Sequence, residues 1–414
     1  MNPTTMSFLY VAVIFVGAFL SFEIQPLVGK MVTAGFGGSA AIWGVCLLFF
    51  QSALLGGYTL TYILARLTAR SQSIAYLVVV VSSAACLSLT GPGGWSAGTE
   101  GDLARTLLVM LATHLAFPCL ILSSISGMMQ TWFNQSRLGD PYPLYSLSNI
   151  GSLGALLAYP LLIEPALSLT RTISYWRVSY YVLVLLLCVA ACDMYKWQRP
   201  PAEAAEDVCA QGDEAPGPKV EKAVTTAPAP SISHFAWWIL LGAMGTLALV
   251  SYTAYLTQDI APVPLVYVIP LCLYLCSFII TFAGDRYYKR ALLTYLSPLL
   301  WIIEAGIAAF WVERTHQTLA MTCSLGAVLA FMFGFFLTCQ GELYRSRPAA
   351  IHLASFYLAI AFGGMLGGVF VNFAAPALFD SYMERYIVGG FIALLWIGVA
   401  TSKYNHHSIA RAAN

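Results

Sequence analysis

Three polar strings sit inside or beside long apolar runs: Glu23-Ile24-Gln25-Pro26 with Lys30 downstream, Glu164-Pro165, and Thr257-Gln258-Asp259. They place acids, amides and a base where apolar sequence surrounds them, groups able to bind a charged ligand. Glu23 is the strongest candidate, because a charged side chain at mid-bilayer costs at least about 2.5 kcal/mol and its retention is a functional hypothesis by default. Pro26 cannot donate to the carbonyl four residues back, so it kinks a helix and frees an acceptor near Glu23 and Gln25. Lys30 follows Glu23 by seven residues and falls on about the same helix face. The chemistry expected is binding of a cation or a proton by Glu23, with Gln25, Lys30, Glu164 and Asp259 as further substrate-binding groups. A structural hydrogen bond from Glu23 to a neighbouring helix is the alternative. Glu164 and Asp259, with Asp380 and Glu384, fall on one side of the apolar runs, where an acidic rim would concentrate cations; ordinary solvated loop charge is the other reading.

Asp140, Asn149, Glu342, Arg345 and Arg347 lie at the opposite ends of the runs. Exposed ion pairs worth about 0 to 1 kcal/mol can break and reform, so these five are candidate gate residues, with static anchoring the alternative. Glu304 and His114 stand alone in apolar surroundings and read as satisfied core groups. Neither C-x-x-C nor H-E-x-x-H spacing occurs, and no nucleophile stands with a base, so no catalytic residue, metal ligand or cofactor is expected. Most of the 10 cysteines lie in apolar runs, with Cys188/Cys192 and Cys272/Cys276 four apart on helix faces, and read as packing residues.

The elements that must position these groups follow from composition. Hydrophobic residues make up 59% of the 414 and charged residues 9%, far below the quarter charged that is usual in soluble domains. A lipid bilayer is therefore the expected surroundings. A net charge of +1 argues against nucleic acid as a partner. In lipid, long apolar runs must be helices or a closed barrel, since every backbone group needs an internal partner. Runs long enough to span occur six times in each half. The first six are Ser7–Val28, Ala40–Leu64, Ile74–Leu89, Leu103–Ile125, Ser146–Ile163 and Trp176–Met194; the others are Phe235–Tyr255, Leu265–Phe282, Leu292–Trp311, Leu319–Leu337, Leu353–Ala374 and Ile387–Thr401. The fold class expected is an all-α, polytopic membrane protein of about 12 transmembrane helices in two six-helix halves, residues 1–196 and 235–414. Residues 197–234, rich in Pro, Ala, Glu and Lys, should form a flexible cytoplasmic linker.

Basic residues set the orientation. Arg66, Arg70, Arg137, Lys196, Arg199, Arg286, Lys289, Arg290, Arg345 and Arg347 all fall in loops on one side, which places both termini in the cytoplasm of an inner (plasma) membrane protein. Lys30, Arg171, Arg177, Arg314 and Arg385 fall on the other side, near acids, polar groups or helix ends. An internal repeat is also present: aligning the fifth run on the eleventh pairs Leu147 with Leu358 and Pro165-Ala166-Leu167 with Pro376-Ala377-Leu378 at one constant offset. Ser136-Arg137 faces Ser346-Arg347 after a one-residue shift.

Several strings carry a family resemblance. Gly284-Asp285-Arg286-Tyr287-Tyr288-Lys289-Arg290 resembles the G-x-x-x-D-R-x-G-R-R loop of the major facilitator superfamily; its first-half counterpart, from Ala65 to Arg70, lacks the acid, and an ordinary basic loop is the alternative. Phe19 to Met31, Phe36 to Trp43, Leu48 to Gln51, Asp140-Pro141-Tyr142, Ser148 to Ser152, Leu162 to Pro165, Leu256 to Ala261, Gly341-Glu342-Leu343 and Phe356-Tyr357-Leu358 resemble the membrane part of fused major-facilitator/spermidine-synthase proteins along essentially the whole chain. The resemblance implies a major-facilitator-like fold and makes a polyamine-like solute attractive. Two departures qualify it. Gln340 stands where the family pattern leads us to expect His, and the chain ends at Asn414, before any synthase domain, so aminopropyl transfer is not carried over. The expectation is a protein that binds or moves a small, cationic solute between its halves. Two alternatives stay open: a non-transporting subunit docking a separately encoded synthase-like partner, and a membrane-embedded enzyme using Glu23 and Asp259 as acid and base.

Overall fold

The computed structural model describes residues 2–36, 40–89, 103–196, 229–259, 264–311, 317–379, 383–395 and 397. Residues 197–228 of the expected linker, Asp380, Arg314 and residues 398–414 lie outside the described residues. Among the described residues the chain forms twelve helices of 12 residues or more, six before the linker and six after it. The first six are α1 Pro3–Phe36, α2 Ala40–Leu64, α3 Ala69–Ala85, α4 Leu103–Gln135, α5 Tyr142–Ala158 and α6 Leu169–Lys196. The second six are α7 Ile232–Asp259, α8 Pro264–Phe282, α9 Arg290–Trp311, α10 Gln317–Arg345, α11 Leu353–Val369 and α12, residues 384–395. Eight of the helical segments are long and apolar enough to cross a membrane.

Several helices outrun the apolar stretches that announce them. α4 was expected to end at Ile125 but continues to Gln135, with Met128, Met129, Gln130 and Trp132 buried. Ser126 and Gln130 break the hydropathy there, yet both are satisfied inside the protein: Gln130 Nε2 donates to Ser126 Oγ at 2.8 Å and Gln130 Oε1 accepts from Tyr357 OH at 2.8 Å. A run of apolar residues measures contact with lipid, whereas a helix continues wherever its polar groups find partners. α1 likewise extends from Pro3 to Phe36, roughly 50 Å at 1.5 Å per residue, well beyond a 30 Å hydrocarbon core.

α5 and α11 do not end as plain α-helices. α5 passes into a π turn, Tyr159–Ile163, and then a short helical turn, Glu164–Ala166; α11 passes into a π turn, Phe370–Ala374, and then Ala375–Leu378. In the π turns the N–H of Glu164 donates to Tyr159 O, and that of Ala375 to Phe370 O. The offset that pairs Leu147 with Leu358 also pairs both helix starts and both π turns.

The chain divides into two compact units, Met1–Phe235 with Arg347–Ala359, and Ala236–Ser346 with Ile360–Asn414. The first turns of α11 thus group with the first unit. Within that unit Trp176 Nε1 donates to Leu20 O at 3.1 Å, tying α6 to α1, and Trp132 Nε1 donates to Gln72 Oε1 at 3.0 Å, tying α4 to α3. Close crossings depend on glycine: a β-carbon at Gly151 would stand 2.6 Å from Phe15 O. In the second unit, β-carbons at Gly363 and Gly367 would overlap the carbonyl oxygens of Ile239 and Ala243, so α11 meets α7 backbone to backbone. Leucine, valine and isoleucine cover the outer faces, with Leu161, Leu162, Leu185 and Ile302 all exposed, as suits helices solvated by lipid.

Candidate functional site

Glu23 lies in the middle of α1 and is 7% exposed. Among the described residues no hydrogen bond or ion pair reaches its carboxylate. Two residues on, Gln25 Nε2 makes a long bond of 3.4 Å to Ser21 O within its own helix. Pro26 stands inside α1 without an N–H, which leaves the Phe22 carbonyl without its helical donor. A buried, unpartnered acid, an adjacent amide and a free carbonyl therefore occupy one short stretch of helix.

The π turn of α5 completes the surroundings. It presents Glu164 toward α1, where Lys30 Nζ donates to Glu164 Oε1 at 2.8 Å with both side chains half-exposed. Tyr159, the first residue of that turn, is buried and within Coulombic reach of both Glu23 and Glu164. Lys30 contacts Glu164 alone, and with Glu23 on the same helix as Lys30 these three groups sum to a net negative charge when all are ionised. Of the expected substrate-binding residues, the structure thus brings Lys30 and Glu164 into contact and places Glu23 and Gln25 further down the same helix. Asp259 is the last residue of α7, and its side chain lies outside the described residues.

The five expected gate residues separate into two groups. In the first unit, Asp140 Oδ1 accepts from the Tyr142 N–H at 3.1 Å and starts α5, the Arg347 guanidinium lies 5.5 Å above the Tyr142 ring, and Tyr142 OH donates to Pro348 O at 2.6 Å. Asn149 Nδ2 donates to Tyr145 O at 2.8 Å, one turn back in its own helix. In the second unit, Glu342 Oε1 accepts from Tyr288 OH at 2.9 Å and pairs with Arg290 Nε at 2.8 Å, while Arg345 is exposed at the end of α10. Burial and then the neighbouring Glu342 carboxylate raise the Tyr288 phenol above its ordinary range. Gly341 makes room for the Tyr288 ring, which a β-carbon there would overlap.

Sequence reasoning missed three partners, Tyr142, Tyr288 and Arg290. The last two sit in the Gly284 to Arg290 string, so the loop resemblance was the available signal. Glu304, read as a satisfied core group, is buried with Arg385 as its partner, Oε1 lying 3.5 Å from Arg385 Nη1. Arg385 had stood out in the sequence as a base on the side otherwise poor in basic residues.

Solved structures resemble the fold that carries these residues. A structure of the proton:xylose symporter XylE superposes with a TM-score of 0.54 at 13% identity over 96% of this chain and 95% of the other. A XylE double tryptophan mutant superposes at 0.55, 13% identity and 94% and 95% coverage, and a partially occluded inward-open XylE from E. coli at 0.52, 12% identity and 94% and 97% coverage. The fold resembles that of this symporter of the major facilitator superfamily. No family model and no curated protein matches the sequence. At this identity the likeness concerns the fold, which accounts for two sets of six helices and for a repeat whose copies occupy the same place in each set.

Proposed function

We propose that this protein is a transporter of a small, cationic, polyamine-like solute, with Glu23 as its proton- or cation-binding group. Glu23 carries the reading: a carboxylate buried at mid-helix with no partner among the described residues is too costly to keep for packing alone, and is satisfied when a proton or a cation occupies it. The net negative charge of Glu23, Glu164 and Lys30 supports a positively charged solute. The basic loops support a protein of the inner membrane with cytoplasmic termini, and the motifs quoted above support kinship with the membrane part of the fused synthase proteins.

The test is uptake of labelled di- and polyamines by proteoliposomes holding the purified protein, with and without a pH gradient. Saturable uptake that falls to the level of empty liposomes in Glu23→Gln is the expected result. Unchanged uptake and unchanged pH dependence in that variant would remove Glu23 from the mechanism.

A further inference from the structure

Arg385, in the first turn of α12, is seated where α7, α9 and α12 converge in the second unit. Its guanidinium carbon lies 3.8 Å from the ring centroid of Tyr255, 6.0 Å from that of Tyr252 and 5.8 Å from that of Tyr386. Glu304 Oε1 approaches Nη1 at 3.5 Å, longer than the roughly 2.7 to 2.9 Å of a charge-assisted hydrogen bond. The Arg385 side chain is 16% exposed, and its Nε and Nη1 are buried without a hydrogen-bond acceptor among the described residues.

This enclosure suits the charge of its occupant but not its donors. Aromatic faces within about 6 Å attract a cation through the ring quadrupole, and Glu304 supplies the counter-charge. A guanidinium also carries five N–H donors, and a buried donor left without an acceptor costs about 1 to 3 kcal/mol or more. Two of its nitrogens are in that condition here. A cation whose charge is surrounded by alkyl groups needs the π faces and the carboxylate and no further acceptors. Tyr386 is 56% exposed, so the enclosure is open on one side.

We infer that Tyr252, Tyr255, Tyr386 and Glu304 form a binding site for an alkylated ammonium group, and that the Arg385 guanidinium is a tethered occupant which such a cation displaces. The inference rests on the cationic-solute reading and narrows it to N-alkylated ammonium, at a place that does not involve Glu23. A tethered competitor lowers apparent affinity by the fraction of time the site is free. Removing it must therefore tighten the binding of a cation, the opposite of what loss of a structural residue produces.

The experiment is thermal unfolding of the detergent-solubilised full chain against increasing tetramethylammonium, with ammonium and guanidinium at equal ionic strength as comparisons. Binding to the folded state raises the unfolding midpoint saturably. The expected result is half-saturation by tetramethylammonium at a concentration about tenfold or more lower in Arg385→Ala than in the wild type, a weaker response to ammonium and guanidinium, and loss of the response when Glu304→Gln or Tyr255→Leu is added. Should Arg385→Ala fail to fold, Arg385→Gln keeps the stem, and the weaker wild-type response must likewise vanish in Tyr255→Leu. No saturable shift in the emptied site, an equal response to all three cations, or a response that survives Glu304→Gln would overturn the inference. Tetramethylammonium binding by a protein that carries no flux in proteoliposomes would overturn the transport reading and leave this site standing.

Discussion

α5 and α11 share a backbone and differ in chemistry. Each is a 17-residue helix followed by a five-residue π turn and a short helical turn containing a proline, Pro165 or Pro376. The proline explains the shared geometry. Its ring clashes with the carbonyl four residues back in an α-helix, and the extra residue of a π turn moves that carbonyl away. At the position of Glu164, which pairs with Lys30, the second copy has Ala375. The second unit instead sets a buried acid, Glu304, on α9 against Arg385 on α12. A duplicated bundle thus keeps what the backbone requires, while its charged side chains are free to diverge.

The comparison can be broken most severely at the helix crossings. Gly363→Leu should separate α11 from α7 and cost several kcal/mol, more than the roughly 1 to 3 kcal/mol typical of overpacking, because the obstacle is the Ile239 backbone carbonyl. Gly306→Ala, with nothing within 4 Å of the added carbon, is the control and should be neutral or stabilising by about 0.5 to 1 kcal/mol in thermal unfolding. Deleting Leu161 from the first π turn should restore α-helical register, return the Pro165 ring to its clash at about 3 kcal/mol, and rotate Glu164 by about 100° away from Lys30. A double-mutant cycle on Lys30 and Glu164 checks the last point, since their coupling should vanish in the deletion. Survival of the coupling would show that the π turn does not aim Glu164.

Smaller effects sharpen the contrast between the two ion-pair environments. Tyr288→Phe removes the donor to Glu342 and should cost about 1.5 to 3 kcal/mol, the range for a hydrogen bond to a charged group. Because the folded-state phenol is raised above its unfolded value near 10, its contribution is present below that pH and declines as pH rises further. The wild type should therefore lose stability above about pH 10 more steeply than Tyr288→Phe, which unfolding midpoints across that range would measure. The smallest effect belongs to Lys30→Ala, at about 0 to 1 kcal/mol and reduced by salt, since the Lys30–Glu164 pair is half-exposed.

Much of the fold was legible because lipid leaves the chain few choices. Apolar runs must be helices, so their number, their grouping into two sets and the offset between copies could be read without coordinates. The ends of helices were less legible. α4 and α10 run beyond their apolar stretches because Gln130 and Glu342 find partners that hydropathy does not register. The candidate site divided in the same way. Glu23, Lys30 and Glu164 stand out as charges in apolar sequence, whereas the Arg385 enclosure draws on α7, α9 and α12, and no local pattern links residues so distant in the chain.

By itself, then, the sequence determined which segments enter the bilayer, where a buried charge would sit and where proline would disturb a helix, since each follows from the chemistry of neighbouring residues along one chain. Only the tertiary structure decided which charges have partners. Glu304 proved to be paired, and Glu23 to have no partner among the described residues, because pairing depends on distances across helices, which packing sets and periodicity cannot encode.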